Sequence, residues 1–339
     1  MENFARLEDL IEATSRLSKL NPITVERLSF TFRTPYGPMT GVKAEAFASS
    51  LERAAFPKLE SINLERNFMQ PADMELIASA LDGSRLPSVK RLDLYDNRIG
   101  DAGTQALAAA LERGALPKLE SLTVSRNEIG AVGAQSLARA FERGTLRSLM
   151  HIHLSTNSMG CDGAIAFASA LESGALCALM TLDIGNNGIG IRGIRAIAIA
   201  LERSSLPSLV DVEFNGNDFG DEGTAALAVA LERANLPRLA WISVTNCDVT
   251  VVGVRALNAS MERSVLPSLR GIVFSAFYSL DEESAVWRLH DAICRSRPRA
   301  RMLAMLGALA RGDCAAPVRR FVDKDGDCAM MWRTLRFMS

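Results

Sequence analysis

The sequence predicts an α/β fold: a horseshoe-shaped repeat solenoid with a parallel β-sheet on its concave side, α-helices on its convex side and helical caps at both ends. Three observations predict it. One segment recurs every 30 residues, each copy starts with apolar residues at strand spacing, and each continues with apolar residues at helix spacing. Because one strand and one helix cannot bury their apolar faces alone, successive copies must stack around one continuous core.

The repeat is clearest in the segment that leads from each helix to the next strand. LERAAFPKLE begins at position 51, LERGALPKLE at 111, and related decapeptides begin at 81, 141, 171, 201, 231 and 261 without an insertion between them. A degenerate copy precedes them at 22–56. We therefore predict an N-terminal capping helix at 1–24, a solenoid of about nine repeats at 25–280, and a C-terminal helical cap at 281–339.

Each strand is predicted by two apolar positions that enclose a variable one. Ile62 and Leu64 are the first such pair after the degenerate copy, and the equivalent positions stay apolar up to Ile272 and Phe274. Apolar residues two apart indicate a short strand with one buried face. The variable residues then point away from the core and onto the concave surface.

An asparagine stands three residues after the second apolar position in most copies. Its amide can satisfy backbone groups where the chain turns inward, and burial without those hydrogen bonds would be costly. Cys247 replaces it in one later copy. The predicted structural ladder consists of Asn67, Asn97, Asn127, Asn157, Asn187 and Asn217.

The remainder of each copy predicts a helix. Leu107, Ala110 and Leu111 lie at i, i+3 and i+4, which is one helical face. Gly100 and Gly103 mark the turn before the helix, and a proline in most copies marks the chain leaving it. Helices are wider than strands, so the stack must curve with its strands on the inside.

With these elements established, LESLTVSRNEIG and VKRLDLYDNRIG match the pattern L-x-x-L-x-L-x-x-N/C-x-L. Over roughly residues 25–280 the chain resembles the leucine-rich-repeat proteins. Its long helix and the turn from Ile99 to Gly103 are similar to those of the ribonuclease-inhibitor-like subclass, which includes repeat domains of intracellular immune receptors and the Ran GTPase-activating proteins. The resemblance implies the fold, whereas function depends on a site rather than on a fold.

Composition limits the possible classes of function. Apolar residues make up 48% and charged residues 23% of the 339-residue chain, which excludes a mainly disordered protein. The net charge of −1 provides no field for nucleic acid or an anionic membrane. We find neither a membrane-spanning apolar run nor the residue order of a signal peptide. The six cysteines lack Cys-x-x-Cys spacing, so we expect a cytoplasmic monomer with reduced thiols.

No catalytic motif is evident. The chain has no glycine-rich phosphate loop, no His-Glu-x-x-His and no Gly-x-Ser-x-Gly, so we predict no enzyme, cofactor, metal or small-molecule substrate. The segment 323–327, DKDGD, has its glycine fourth rather than sixth and predicts a helix N-cap turn instead of a calcium loop. The basic segment 286–324 lacks interleaved aromatics and predicts a solvated cap rather than a nucleic-acid site.

The variable strand positions predict a surface for a protein partner. The earlier repeats present mixed charges around one tyrosine, and the later ones present two histidines beside three carboxylates, with a tryptophan at their edge. An aromatic residue rimmed by charge is a common composition of interaction hot spots. The predicted partner-binding residues are Glu65, Arg66, Arg91, Asp93, Tyr95, Asp96, Arg126, His151, His153, Asp183, Asp211, Glu213 and Trp241.

Alternatives remain for this cluster and for the function. His153 and Asp183 could share a zinc ion, but His151 and His153 stand about 7 Å apart along a strand, which favours a pH-sensitive partner contact. A non-catalytic recognition scaffold is the first predicted function. The alternatives are a small-GTPase regulator of the Ran-activator type, which the resemblance implies, and an enzyme whose catalytic unit is the C-terminal helical segment.

Overall fold

In the computed structural model, nine parallel strands form one sheet and alternate with eight helices over the described residues, which are 10–11, 25–29, 39–263 and 266–274. The predicted α/β class with a parallel sheet is confirmed. The predicted C-terminal cap lies outside the described residues, as does the N-terminal capping helix apart from residues 10–11. The curvature of the stack and the boundaries between the solenoid and its two caps remain predictions.

The strands are three residues long and the helices ten to fourteen. The strands are β1 (Arg27–Ser29), β2 (Ser61–Asn63), β3 (Arg91–Asp93), β4 (Ser121–Thr123), β5 (His151–His153), β6 (Thr181–Asp183), β7 (Asp211–Glu213), β8 (Trp241–Ser243) and β9 (Gly271–Val273). The helices are α1 (Val42–Arg53), α2 (Pro71–Ala80), α3 (Gly100–Glu112), α4 (Ala131–Glu142), α5 (Gly160–Glu172), α6 (Ile191–Arg203), α7 (Gly220–Arg233) and α8 (Val251–Met261).

The order of strands in the sheet is the order in the chain, and neighbours pair in the register of the repeat. Leu92 of β3 pairs with Leu122 of β4, for example, exactly one repeat later along the chain. Equivalent sequence positions therefore become rows of adjacent side chains that run across the strands. Positions that lie 30 residues apart in the sequence are therefore side by side in the sheet.

One continuous core fills the space between the sheet and the helices. The central residue of each strand is buried, as is the apolar residue just after the strand, such as Leu92 and Leu94. From the helices, Leu107, Ala110 and Leu111 are fully buried, which is the face that the sequence predicts. Each fully buried leucine contributes about 1.5–3 kcal/mol relative to exposure, so this repeated face supplies most of the driving force for stacking.

The helices begin in two alternating ways, so the 30-residue repeat has an underlying period of two repeats. In one kind, a glycine with positive φ is the first helical residue: Gly100, Gly160 and Gly220. In the other kind, the positive φ falls two positions earlier, at Phe68, Glu128, Gly188 and Asp248, and the helix follows an extended residue.

Carboxylates link the two kinds of helix start. Asp101 Oδ1 in α3 accepts hydrogen bonds from the backbone N–H groups of Gly130 and Gly133, both at 2.8 Å, and so caps α4 of the following repeat. Asp221 does the same for α8 through the N–H groups of Thr250 and Gly253. A carboxylate is favourable there because the first N–H groups of a helix have no intrahelical partner.

Candidate functional site

The side of the sheet away from the helices carries two rows of side chains. In each strand the first and third residues lie opposite the buried central one. We use the term sheet face for the surface made by these residues and the two non-core residues after each strand, that is 61, 63, 65 and 66 and their equivalents up to β8. One row is Ser61, Arg91, Ser121, His151, Thr181, Asp211 and Trp241; the other is Asn63, Asp93, Thr123, His153, Asp183, Glu213 and Ser243.

The asparagine side chains hold the loops beneath the sheet face. Asn97 Nδ2 donates to the backbone carbonyls of Leu64 and Leu94, both at 2.9 Å. Asn97 Oδ1 accepts from the N–H groups of Asn67 and Met69, at 2.9 and 3.1 Å. One side chain therefore fixes the loops of two repeats, and Asn157 and Asn217 make the same set of bonds.

Asn127 makes only half of this set because the loops alternate. Its Nδ2 donates to Leu94 and Ser125, but its buried Oδ1 has no hydrogen-bond partner among the described residues. In the preceding repeat the N–H of Asn97 donates instead to the carbonyl of Arg126, and that of Gly100 to the backbone carbonyl of Asn127. The amide oxygen is thus left without the donors that Asn97 has.

Cys247 continues the ladder with a thiol. Its Sγ lies 3.2 Å from the carbonyl oxygen of Phe214 and 3.3 Å from that of Thr245, so its single S–H can donate to either. Burial raises the pKa of the Cys247 thiol to about 11, so that it stays protonated and serves as a donor at neutral pH. This buried thiol is structural.

The edge of the sheet face holds residues with left-handed backbone conformation. Arg66, Asp96 and Arg126, all predicted partner-binding residues, have φ of 55–56°, and Thr156 has φ of 56°. Non-glycine residues rarely adopt this region, and a β-branched residue such as Thr156 does so least easily. The hydrogen-bonded loops hold these side chains at the same point of successive repeats.

The structure brings the predicted residues of β2 and β3 together. The guanidinium of Arg66 lies 5.3 Å from the ring centroid of Tyr95 and 3.6 Å from the carboxylate of Asp96. Burial raises the pKa of Asp93, and the nearby charge of Glu65 raises it further, although the N–H of Tyr95 donates to this carboxylate. Tyr95 itself is partly buried rather than exposed. Arg91 and Arg126 lie on the same surface and are exposed.

The two histidines of β5 point the same way from the sheet. Their rings are nearly parallel, with centroids 6.5 Å apart. His151 Nδ1 lies 3.1 Å from Thr181 Oγ1, and His153 Nδ1 lies 4.0 Å from Asp183 Oδ2. Burial, reinforced by the neighbouring His153, lowers the pKa of His151 and favours its neutral form.

Three carboxylates follow the histidines across β6 and β7. Asp183 pairs in register with Glu213, and Asp211 lies one row away. Burial, with the charge of Asp183, raises the pKa of Asp211 to about 6. Burial, with the charges of Asp183 and Asp211, raises the pKa of Glu213 to about 7. Near neutral pH Asp211 and Glu213 therefore retain protons that an exposed acid would release.

Trp241 closes this end of the sheet face. It is paired in register with Asp211 and is partly buried, and its equivalent in β9 is Gly271. The structure thus places His151, Asp211 and Trp241 in one row. His153, Asp183 and Glu213, the other predicted residues of this end, share the second row.

A third row was missed by the sequence reasoning. The residue just before each strand is charged at β2–β4, where Lys90 Nζ and Glu60 Oε1 form an ion pair at 2.7 Å. The equivalent residues before β5, β6 and β7 are apolar and partly buried: Met150, Met180 and Val210. The sequence shows this as a change from charged to apolar residues at the position just before each strand. That position lies outside the alternation of apolar and variable residues that predicts the strands.

The described part of the chain contains no candidate metal centre. No three His, Cys, Asp or Glu side chains converge there in an arrangement that could hold a metal ion. The DKDGD segment and the basic segment 286–324 lie outside the described residues. None of the helices within those residues has both the length and the apolar character needed to cross a membrane.

Comparison with known proteins agrees with the repeat architecture. A sequence model described as a leucine-rich repeat matches residues 85–108, 115–138, 176–198 and 205–228. Together with the single sheet of repeating strand–helix units, these matches support a leucine-rich-repeat protein. The ribonuclease-inhibitor-like subclass stays a prediction. No curated protein matches the chain.

Two solved structures match the chain weakly. One is described as leiomodin-1 actin-binding site 2; it is 12% identical, and the match covers 56% of this chain and 87% of that one with a TM-score of 0.37. The other is a Bacteroides fragilis protein; it is 13% identical, and the match covers 91% of this chain and 73% of that one with a TM-score of 0.43.

Proposed function

We propose that this chain is a non-catalytic recognition scaffold that binds a protein partner on its sheet face, without a cofactor. One observation carries the proposal. The strand positions that face the core are apolar in every repeat, whereas equivalent positions on the sheet face change from Arg91 to His151 to Asp211 to Trp241. A constant framework that presents a different side chain at each step is suited to recognising one particular surface.

The dimensions of the sheet face support binding of a folded partner. Six intervals between neighbouring strands separate β2 from β8. At roughly 4.8 Å per interval the face is about 29 Å long, comparable to the diameter of a small domain. The predicted curvature would bring more of this face into contact with a rounded partner.

The rigidity of the framework supports the same function. The loops that border the sheet face are fixed by the asparagine ladder, as at Asn97 and Asn157. Binding therefore orders little backbone, and the associated loss of entropy is small. Tyr95 and Trp241 add partly buried aromatic surface beside charged groups, a combination common in interaction hot spots.

A capture experiment with a double variant tests the proposal. Trp241→Ala combined with Asp211→Ala should abolish capture of the partner from native lysate, while the chain still unfolds cooperatively. Asn157→Ala is the opposite control, because it should lower the free energy of unfolding by about 1–3 kcal/mol through unpaired backbone groups while the strands keep Asp211 and Trp241 in place. Partner capture at wild-type affinity by the double variant would show that the sheet face is not the binding surface.

The same experiment distinguishes the alternative function. If the captured partner is a small GTPase, single-turnover GTP hydrolysis should be measured with and without the chain across a panel of small GTPases. A regulator of the Ran-activator type increases the hydrolysis rate of at least one member. Unchanged hydrolysis rates across the panel would exclude the regulator function and leave the recognition scaffold as the proposed function.

A further inference from the structure

The two ends of the sheet face differ in charge. On β2–β4 and the loops that follow them, arginines and carboxylates occur together, as in Arg66 beside Asp96. Residues 151–159, 181–189, 211–219 and 241–249, which form β5–β8 and their loops, contain carboxylates and two histidines but neither lysine nor arginine. This end therefore has no lysine or arginine of its own to pair with its carboxylates.

The same end also has an apolar margin. Met150, Met180 and Val210 precede β5, β6 and β7 and are partly buried. The ion pair between Lys90 and Glu60 demonstrates that neighbours in this row reach each other across adjacent strands. Met150, Met180 and Val210 are adjacent along one edge of the sheet, because the N–H of Met180 donates to the carbonyl of Met150 and that of Val210 to the carbonyl of Met180, both at 2.8 Å. Trp241, paired in register with Asp211, adds an aromatic surface one strand further.

We infer that this end of the sheet face holds a segment of the partner in which a lysine or arginine stands next to an apolar side chain. We use the term β5–β8 face for four residues of the sheet face and the apolar margin next to them: Asp183, Asp211, Glu213 and Trp241, with Met150, Met180 and Val210. The inference rests on the proposed function and adds the chemistry of the partner. The cation contacts the carboxylates and the apolar side chain packs on the margin, while Trp241 provides a ring face that attracts cations.

The groups around the carboxylates determine how this binding depends on pH. Asp183 faces Asp211 and Glu213 from β6, and the histidines lie one strand further, in β5. From β8 only Trp241 and Ser243 face them, and neither is ionised at neutral pH.

Protonation makes the direction of the pH effect a test of the partner's charge. The pKa values of Asp211 and Glu213, about 6 and about 7, mean that both groups lose charge as pH falls below neutral. A bound cation favours their ionised forms, so binding releases protons and becomes tighter as pH rises. Protonation of His151 at low pH also repels a cation. An anionic segment would show the reverse dependence.

Selection from a random dodecapeptide library on the full chain tests the inference. We expect the enriched peptides to carry lysine or arginine beside an apolar residue and to bind at least about tenfold more tightly at pH 7.5 than at pH 5.5. Asp183→Asn, Asp211→Asn and Glu213→Gln together should weaken binding at least about tenfold. The matched control, Glu75→Gln, Glu142→Gln and Glu172→Gln, removes the same charge from exposed helix positions and should bind as wild type does.

Other results overturn the inference. Enrichment of acidic peptides, or of peptides that bind more tightly at pH 5.5, excludes a cationic segment on this face. Peptides that bind equally well to wild type and to the variant without the three carboxylates exclude it too. If such peptides lose binding with Tyr95→Ala, the sheet face still binds a partner and the proposed function stands. If no peptide binds, and capture from lysate also survives the double variant of Trp241 and Asp211, both proposals fail.

One further variant tests whether a segment of this same chain covers the β5–β8 face. The sequence contains an arginine-rich run at Arg295, Arg297, Arg299 and Arg301, outside the described residues. If wild type enriches no basic peptide but the variant with these four arginines changed to glutamine does, the β5–β8 face is occupied by that run. That result overturns the inference of an external basic segment.

Discussion

The partial burial of Asp211 and Glu213 on the sheet face lowers the stability of the folded chain when no partner is bound. The pKa of Asp211 rises from 3.8 to about 6, and that of Glu213 rises from 4.5 to about 7. In the unfolded chain both groups titrate near their ordinary values. Between about pH 4 and pH 7 the folded chain therefore binds more protons through them, and their contribution to the free energy of unfolding falls as pH rises.

This linkage predicts a pH-dependent gain in stability. Asp211→Asn with Glu213→Gln removes the cost of ionising two buried carboxylates. We expect the double variant to exceed wild type in the free energy of unfolding by about 1–3 kcal/mol at pH 8, with little difference near pH 4. Urea unfolding at the two pH values measures this. A double variant that is less stable than wild type at pH 8 would mean that the carboxylates are stabilised by contacts within the chain.

The sequence could predict which of these residues share a row but not their protonation. Strand alternation and the 30-residue period place His153, Asp183 and Glu213 in one row, where the structure has them. The depth of their burial depends on neighbours in adjacent repeats, which periodicity does not specify. The margin of Met150 and Met180 was missed because it lies outside the alternation that defines the strand.

At the scale of the element, the start of each helix is decided by its neighbour as much as by its own residues. The sequence places Gly100 and Gly103 in a turn before the helix, but the structure makes Gly100 the first residue of α3 and Gly103 part of its first turn. A Cβ on Gly103 would lie 3.0 Å from the Cβ of Met74 in α2, so glycine permits the close approach of the two helices. This requirement is tertiary and cannot be derived from one repeat.

The carboxylate caps predict a stabilising substitution at α6. Cys161 occupies in α5 the position that Asp101 occupies in α3, and Gly190 and Gly193 of α6 are the equivalents of Gly130 and Gly133, which Asp101 caps in α4. Cys161→Asp should accept from the N–H groups of Gly190 and Gly193, as Asp101 does one pair of repeats earlier. We expect a gain of about 0.5–1 kcal/mol in the free energy of unfolding.

Cys161→Ala is the control for this substitution, because it removes the thiol without adding a cap. Urea unfolding of the two variants at neutral pH measures the difference between them. If Cys161→Asp is no more stable than Cys161→Ala, the carboxylate does not reach the α6 helix start, and the equivalence of α5 with α3 is wrong.

At the scale of the molecule, each repeat packs on its neighbours in sequence, so stability is close to a sum of repeats and of the interfaces between them. The regular period predicts this arrangement well: the order and register of β2–β9 follow from it directly. It does not predict that the interfaces are of two kinds. Equivalent glycines such as Gly100 and Gly130 look alike in sequence, although their φ angles are 55° and −88°.

The two kinds of interface imply that such a solenoid gains or loses its 30-residue repeats in pairs. Deleting 121–150 places α3 against α5, two helix starts of the same kind, and leaves Asp101 facing the left-handed start at Gly160. Deleting 121–180 removes twice as much chain but gives Asp101 a start at Gly190 of the kind that it already caps. We expect the longer deletion to unfold at the higher urea concentration. The opposite order would show that single copies are interchangeable, and a gene for such a protein could then grow or shrink one copy at a time.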